Sequence, residues 1–105
     1  MEYQNLRIEE QDGILLVTIN RAEALNALNQ RTMQELGHLF ETDAPQRKDI
    51  HGVILTGAGE KAFVAGADIK EFMAMDAAAG QQMAARGQAV FFAIERFSKP
   101  VIAAV

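Results

Sequence analysis

"GVILTGAGEKAFVAGADIKEF", Gly52 to Phe72, decides how this chain folds. It opens as a short apolar strand closed by glycine. It then runs through a lysine-bearing loop into three small residues in a row, Ala65, Gly66 and Ala67, directly before an acid. Asp68 with Glu71 three residues later forms a capping box, the aspartate accepting from the first helical turn and the glutamate reaching back. A helix therefore starts at Asp68, and Ala65–Ala67 is the turn that delivers it. Strand, small-residue turn and capped helix make one βα unit.

The flanking segments extend the pattern. Leu6 and Ile8 alternate with polar neighbours, and Asp12-Gly13 precedes "ILLVTI", so the chain begins as two strands joined by a tight hairpin turn. The second strand is apolar on both faces, as expected of a strand covered on both sides. From Leu25 the period changes to three and four through Leu28, Thr32, Met33, Leu36, Leu39 and Phe40, with Asn26 or Asn29 as N-cap, predicting an amphipathic helix that ends near Thr42. "TDAPQRKD" then reads as a polar connection.

Beyond the opening motif, Met83, Gly87, Val90, Phe91, Ile94 and Phe97 recur at helical spacing behind Asp76 as cap. Ser98-Lys99-Pro100 ends that helix and "VIAAV" starts another buried strand. Strands alternating with helices imply an α/β fold with a largely parallel sheet and right-handed crossovers. Val105 lies within an apolar strand with no turn after it, so the chain is expected to stop in mid-motif, leaving an unpaired sheet edge.

Composition narrows the function classes. With 105 residues the chain suits one domain, half its residues are hydrophobic, and its net charge is -4 without any basic run. That balance excludes disorder and makes nucleic acid a poor partner. No cysteine is present, which fits a reducing compartment, and two histidines, His38 and His51, are too few and too far apart for a metal cluster. No targeting segment or membrane span is evident, and the expected location is the cytoplasm.

In open α/β sheets ligands bind beyond the carboxyl ends of the strands, and "GAGEKAFVAGADIKEF" leaves such an end. Gly57–Ala62 fits the loose pattern G-x-G-x-x-A of dinucleotide sites, but that pattern needs a helix starting on the loop, and Phe63 and Val64 follow instead. Ala65–Ala67 admits two readings. Small side chains let a ligand reach the backbone, where helix-start N–H groups could hold an oxyanion; equally, they allow close helix–strand packing, the plainer reading from local physics alone. Lys61 and Lys70 flank the turn and would suit phosphates, or are ordinary surface lysines. Glu71 has a capping task and Glu95 sits beside Arg96, so both read as structural.

Taken together, "ILLVTINRAEALNALN", "GVILTGAGEKAFVAGADIKEF" and "KPVIAAV" resemble, in order and spacing, the enoyl-CoA hydratase/isomerase (crotonase) family across essentially the whole chain. The resemblance implies a crotonase-like (ClpP/crotonase) spiral of βα units, of which residues 1–105 would be the N-terminal part of a single domain. It implies an acyl-CoA thioester substrate, no cofactor apart from the coenzyme A of that substrate, no metal, and a homotrimer or hexamer. It also implies that the Ala67 backbone N–H is one of two oxyanion-hole donors. Ala24, Leu25 and Ala65 would lie near the adenine, Gly66, Ala67, Asp68, Ile69 and Lys70 along the CoA cleft, and Lys61 and Lys70 near the phosphates. The family's catalytic glutamates and second oxyanion donor would follow Val105. Ala22 stands where proline is common and Glu23 where lysine is common, which weakens any phosphate contact there. Hydration of a trans-2-enoyl-CoA in fatty-acid β-oxidation is the implied reaction, with double-bond isomerisation, another crotonase-type acyl-CoA reaction, or a catalytically inert fragment lacking the glutamates as alternatives.

Overall fold

The computed structural model describes residues 2–21, 26–59 and 76–104. Four strands, β1 (Leu6–Gln11), β2 (Ile14–Ile19), β3 (Gly52–Gly57) and β4 (Val101–Ala104), form one sheet in the order β1-β2-β3-β4. The first pair is antiparallel and the next two pairs are parallel, as the alternation of strands and helices predicts.

The hairpin turn follows from its two residues. Asp12 and Gly13 both have positive φ, 54° and 81°, the mirror-image turn whose twist matches the flanking strands. Gly13 is required twice over, by its φ of 81° and because a Cβ there would run into the His51 ring; its carbonyl also accepts the His51 N–H at 2.6 Å.

Asn29, rather than Asn26, caps α1 (Gln30–His38), its Oδ1 accepting from the Thr32 N–H at 2.9 Å. The helical path does not end near Thr42. It passes through a π-helical turn, Leu39–Asp43, into a last helical turn, α2 (Ala44–Gln46). Pro45, which has no N–H to donate, follows Ala44, whose N–H makes the π-type bond to the Leu39 carbonyl, and the wider π turn lets Leu39, Phe40 and Ala44 all reach the core. The polar connection therefore begins only at Arg47.

Asp76 caps α3 (Ala77–Glu95) as expected, accepting from the Ala79 N–H at 2.8 Å. The helix crosses α1 where both are small: a Cβ on Gly37 would meet Arg86 and Val90, and one on Gly87 would touch Met33. Val90 is fully buried there, with Ile94 and Phe97 packed against the core. Phe91 departs from the predicted face. It lies about 100° around the helix from Val90 and is 53% exposed, like Phe92.

The core lies between these helices and one face of the sheet, where Leu6, Leu15, Val17, Ile19, Val53 and Leu55 meet Leu36, Leu39 and Val90. Strand β2 is fully covered on that face; on the other, Thr18 is buried while Leu16 and Ile54 are half-buried neighbours in register with Ile102. The expectation that β4 is buried is not met: among the described residues it pairs with β3 alone, and Ile102 is 60% exposed.

Candidate functional site

The carboxyl ends of the parallel strands β2 and β3 lie side by side, with Ile19 opposite Gly57 in register. One further rung extends the ladder, the Ala58 N–H donating to the Ile19 carbonyl at 2.8 Å. The backbone leaving β2 then closes on itself. Asn26 donates its N–H to the Arg21 carbonyl at 2.8 Å, its Oδ1 accepts from the Arg21 N–H at 2.9 Å, and Arg21 Nη1 donates to the Ala27 carbonyl at 2.6 Å. Asn26 has φ 59°, a left-handed conformation that asparagine tolerates better than most residues. Its Nδ2 reaches across to the Ala58 carbonyl at 2.8 Å. The sequence pattern marks Asn26 only as a helix cap; its fixed place between two strand ends needs the parallel pairing to become visible.

These anchors flank the residues that the resemblance singles out. Ala24 and Leu25 fall in 22–25, and Lys61, Ala65, Gly66, Ala67, Asp68, Ile69 and Lys70 fall in 60–75; all lie outside the described residues, as do the capping box and the helix expected at Asp68. In sequence, Arg21 and Asn26 bound the first segment and Gly59 and Asp76 the second.

Two polar clusters elsewhere escaped the sequence pattern. The Glu35 side chain, wholly buried, accepts backbone N–H groups of Gln4, Asn5 and Leu6 at 2.9, 2.9 and 3.1 Å on Oε1, and Arg31 Nε on Oε2 at 2.7 Å. The signal was an acid among the apolar positions of α1, four residues after an arginine. In the second cluster Tyr3 donates its hydroxyl to Asp43 at 2.8 Å, and Arg47 donates Nε to the same carboxylate at 3.0 Å. Burial, reinforced by the Asp43 carboxylate, pushes the Tyr3 phenol well above its ordinary range. For Asp43, burial works to raise the pKa, but the hydrogen bonds from Arg47 and Tyr3 outweigh it and hold the carboxyl below the usual value. Both clusters fasten the N-terminal arm to the helices; neither presents a free base to a ligand.

An open groove of about 550 Å³ runs beside the α3–β4 turn, lined by Leu55, Ile94, Phe97, Lys99, Pro100 and Ala103 among others. Glu95, exposed at the end of α3, borders it, and Arg96 lies over the Phe92 ring at 5.4 Å. Among the described residues no cluster of three or more potential metal ligands exists, and no helix is long and apolar enough to cross a membrane.

The enoyl-CoA hydratase/isomerase family profile matches residues 9–105. A short-chain-enoyl-CoA hydratase of Clostridium acetobutylicum is 45% identical over 105 residues, 100% of this chain and 40% of that protein. A crotonyl-CoA hydratase of Syntrophomonas wolfei is 40% identical over the same length and share. Among solved structures, an enoyl-CoA hydratase of Bacillus anthracis superposes with a TM-score of 0.91 at 32% identity, covering 95% of this chain and 39% of that one. One from Mycobacterium smegmatis gives 0.87 at 34% identity, with 95% and 39% covered. The chain thus spans about two fifths of the length of the curated relatives it matches.

Proposed function

The chain belongs to the enoyl-CoA hydratase/isomerase family and carries part of the crotonase α/β fold, and from that premise we propose that it serves the hydration of a trans-2-enoyl-CoA thioester. The observation that carries this is 45% identity to a short-chain-enoyl-CoA hydratase across every residue of the chain, "FVAGADIKEF" included. Adding water across the α,β-double bond pushes negative charge onto the thioester oxygen. A backbone donor aimed at that oxygen contributes on the order of 3 to 4 kcal/mol to the transition state. In this reading the Ala67 N–H is one such donor, and small residues at 65–67 let the thioester lie against the main chain. Ala24, Leu25 and Ala65 take the adenine side, Gly66, Asp68 and Ile69 the cleft wall, and Lys61 and Lys70 the phosphates.

No separate cofactor enters the reaction, because coenzyme A arrives as part of the substrate. Water must still be activated and its proton delivered by carboxylates within hydrogen-bond reach. Glu35 is committed to backbone donors and Arg31, and the Asp43 carboxylate to Tyr3 and Arg47. The acids that do this are, as the family resemblance implies, in the portion of the fold outside residues 1–105, and the proposed working assembly is a cytoplasmic trimer or hexamer of the whole fold.

Two measurements test the proposal. Residues 1–105 alone should not hydrate crotonyl-CoA, whereas a chimera in which they replace the aligned two fifths of the Clostridium acetobutylicum relative should. Turnover by residues 1–105 alone would refute the placement of the acids. A folded chimera that binds CoA without hydrating crotonyl-CoA would refute the hydratase reading, and a double-bond shift in its place would favour isomerisation. Thermal protection of the chain by NAD(H) but not CoA would point to the dinucleotide pattern at Gly57–Ala62 instead.

A further inference from the structure

The hydrogen bond from Asn26 Nδ2 to the Ala58 carbonyl is a side-chain rung placed just past the end of the parallel ladder. Among the described residues, the last backbone rung between the chains of β2 and β3 is the Ala58 N–H to Ile19 carbonyl bond at 2.8 Å. Asn26 then uses both halves of its amide. The oxygen, held by the Arg21 N–H at 2.9 Å, locks the chain leaving β2, and the nitrogen, 2.8 Å from the Ala58 oxygen, ties that chain to the one leaving β3. The residue is fully buried and takes a left-handed backbone conformation at φ 59°. Helix capping does not explain it, because Asn29 caps α1. Apolar packing does not either, since a buried amide is costly unless bonded and this one bonds on both sides.

We infer that Asn26 is a positioning residue: it sets the spacing between the two backbones that leave the carboxyl edge of β2 and β3, and through that spacing the affinity for the coenzyme A part of the substrate. The inference rests on the acyl-CoA reading above. Ligands in open α/β sheets enter beyond the carboxyl ends of the strands, and a displacement of about 1 Å between supporting backbones is enough to degrade a site. The rung joins backbones, not ligand atoms, so Asn26 acts on binding through Arg21 and Ala58.

Asparagine's two halves can be separated by substitution. Asn26→Asp keeps the Oδ1 acceptor for the Arg21 N–H and turns the other half from a donor into an acceptor facing the Ala58 carbonyl. Asn26→Gly keeps the left-handed backbone and removes both bonds, so it carries the test if the aspartate variant does not fold. Asn29→Ala removes the α1 cap and serves as the control for stability loss alone. The probe is free coenzyme A, titrated calorimetrically into each folded chain, with amide hydrogen exchange read at Ala58 and Asn26.

The expected result is a dissociation constant raised about tenfold in Asn26→Asp, the loss of roughly one hydrogen bond's worth of fixed geometry, with faster exchange at Ala58. Asn29→Ala should melt earlier yet bind within about twofold of the parent chain. Unchanged affinity in Asn26→Asp, or an equal loss in Asn29→Ala, would overturn the inference. If neither the parent chain nor the chimera described above binds coenzyme A, the acyl-CoA reading fails, and exchange decides the remainder: faster exchange at Ala58 in Asn26→Asp upholds the spacing role, and parent-like protection there overturns it.

Discussion

Replacing Glu35 by alanine should destabilise the chain more than any single surface change, because this side chain is a wholly buried charge that organises the N-terminal arm. It accepts from three consecutive backbone donors, Gln4, Asn5 and Leu6, and from Arg31 Nε. Hydrogen bonds to a charged group contribute about 1.5–3 kcal/mol each, but the four are not additive. On truncation Arg31, with 38% of its side chain already exposed, regains water, whereas the Leu6 N–H belongs to a residue only 4% exposed. The net loss should be about 3 kcal/mol. At about 4–8 °C per kcal/mol for a domain of this size, that lowers the melting temperature by roughly 12–24 °C. Glu35→Gln keeps the oxygen that serves the backbone and loses only the Arg31 side, so it should fall between alanine and the parent. Arg31→Ala should cost less than Glu35→Ala, because the buried carboxylate keeps its three backbone donors. Urea and thermal melts followed by circular dichroism measure all three. A loss below about 1 kcal/mol for Glu35→Ala, or a glutamine variant no better than alanine, would refute the reasoning.

The remaining predictions concern the hairpin and the Tyr3–Asp43–Arg47 cluster. Gly13→Ala should destabilise by about 2 kcal/mol, since it combines a left-handed backbone with a collision against His51; Asp12→Asn, at φ 54°, should be nearly neutral in the same melts. Asp43 has a depressed folded-state pKa, so its contribution is present above the unfolded value near about 4 and is lost as pH falls through the lower folded value. Tyr3 is shifted the other way; its contribution is intact below about 10 and declines as pH rises beyond that. Stability measured against pH should therefore slope down at both ends, and Asp43→Asn should flatten the acid limb. An unchanged acid limb in that variant would contradict the assignment.

What was legible in the sequence is what neighbouring residues decide among themselves. Asp12-Gly13 specifies its turn because only residues tolerant of positive φ fit there, and Asn29 and Asp76 announce their helices through bonds three residues away. The parallel order followed from alternation. Pro45 misled because a proline in the connection reads as a stop, while the π turn at Leu39–Asp43 carries it into a first-turn position. Phe91 misled because hydrophobic periodicity cannot say how wide a helix's covered stripe is. Glu35 and Asn26 stayed hidden for one reason: beside near partners in Arg31 and Arg21, each bonds a backbone 29 to 32 residues away, and no local pattern encodes which strand end will sit beside which. Of the candidate site, the motif was readable by resemblance to a family, whereas the amide that links the two strand ends emerged only from the paired sheet.

The order of the sheet, β1-β2-β3-β4, is also the order of the chain. The hairpin needs only adjacent residues, a pairing that forms in roughly microseconds. Strand β3 must return across 52 − 14 = 38 residues to meet β2 in register, and β4 across 101 − 53 = 48 to meet β3. The difference in loop-closure cost between those two is only about 0.2 kcal/mol, too little to dictate a sequence of events. The partners do so instead, because β4 has no ladder to join until β3 is docked. Each strand leaving a ribosome thus finds its neighbour already emerged, and no gap has to be held open for a later one. Vectorial synthesis and assembly run in the same direction, with hairpin before crossover and each described strand added beside the one made before it.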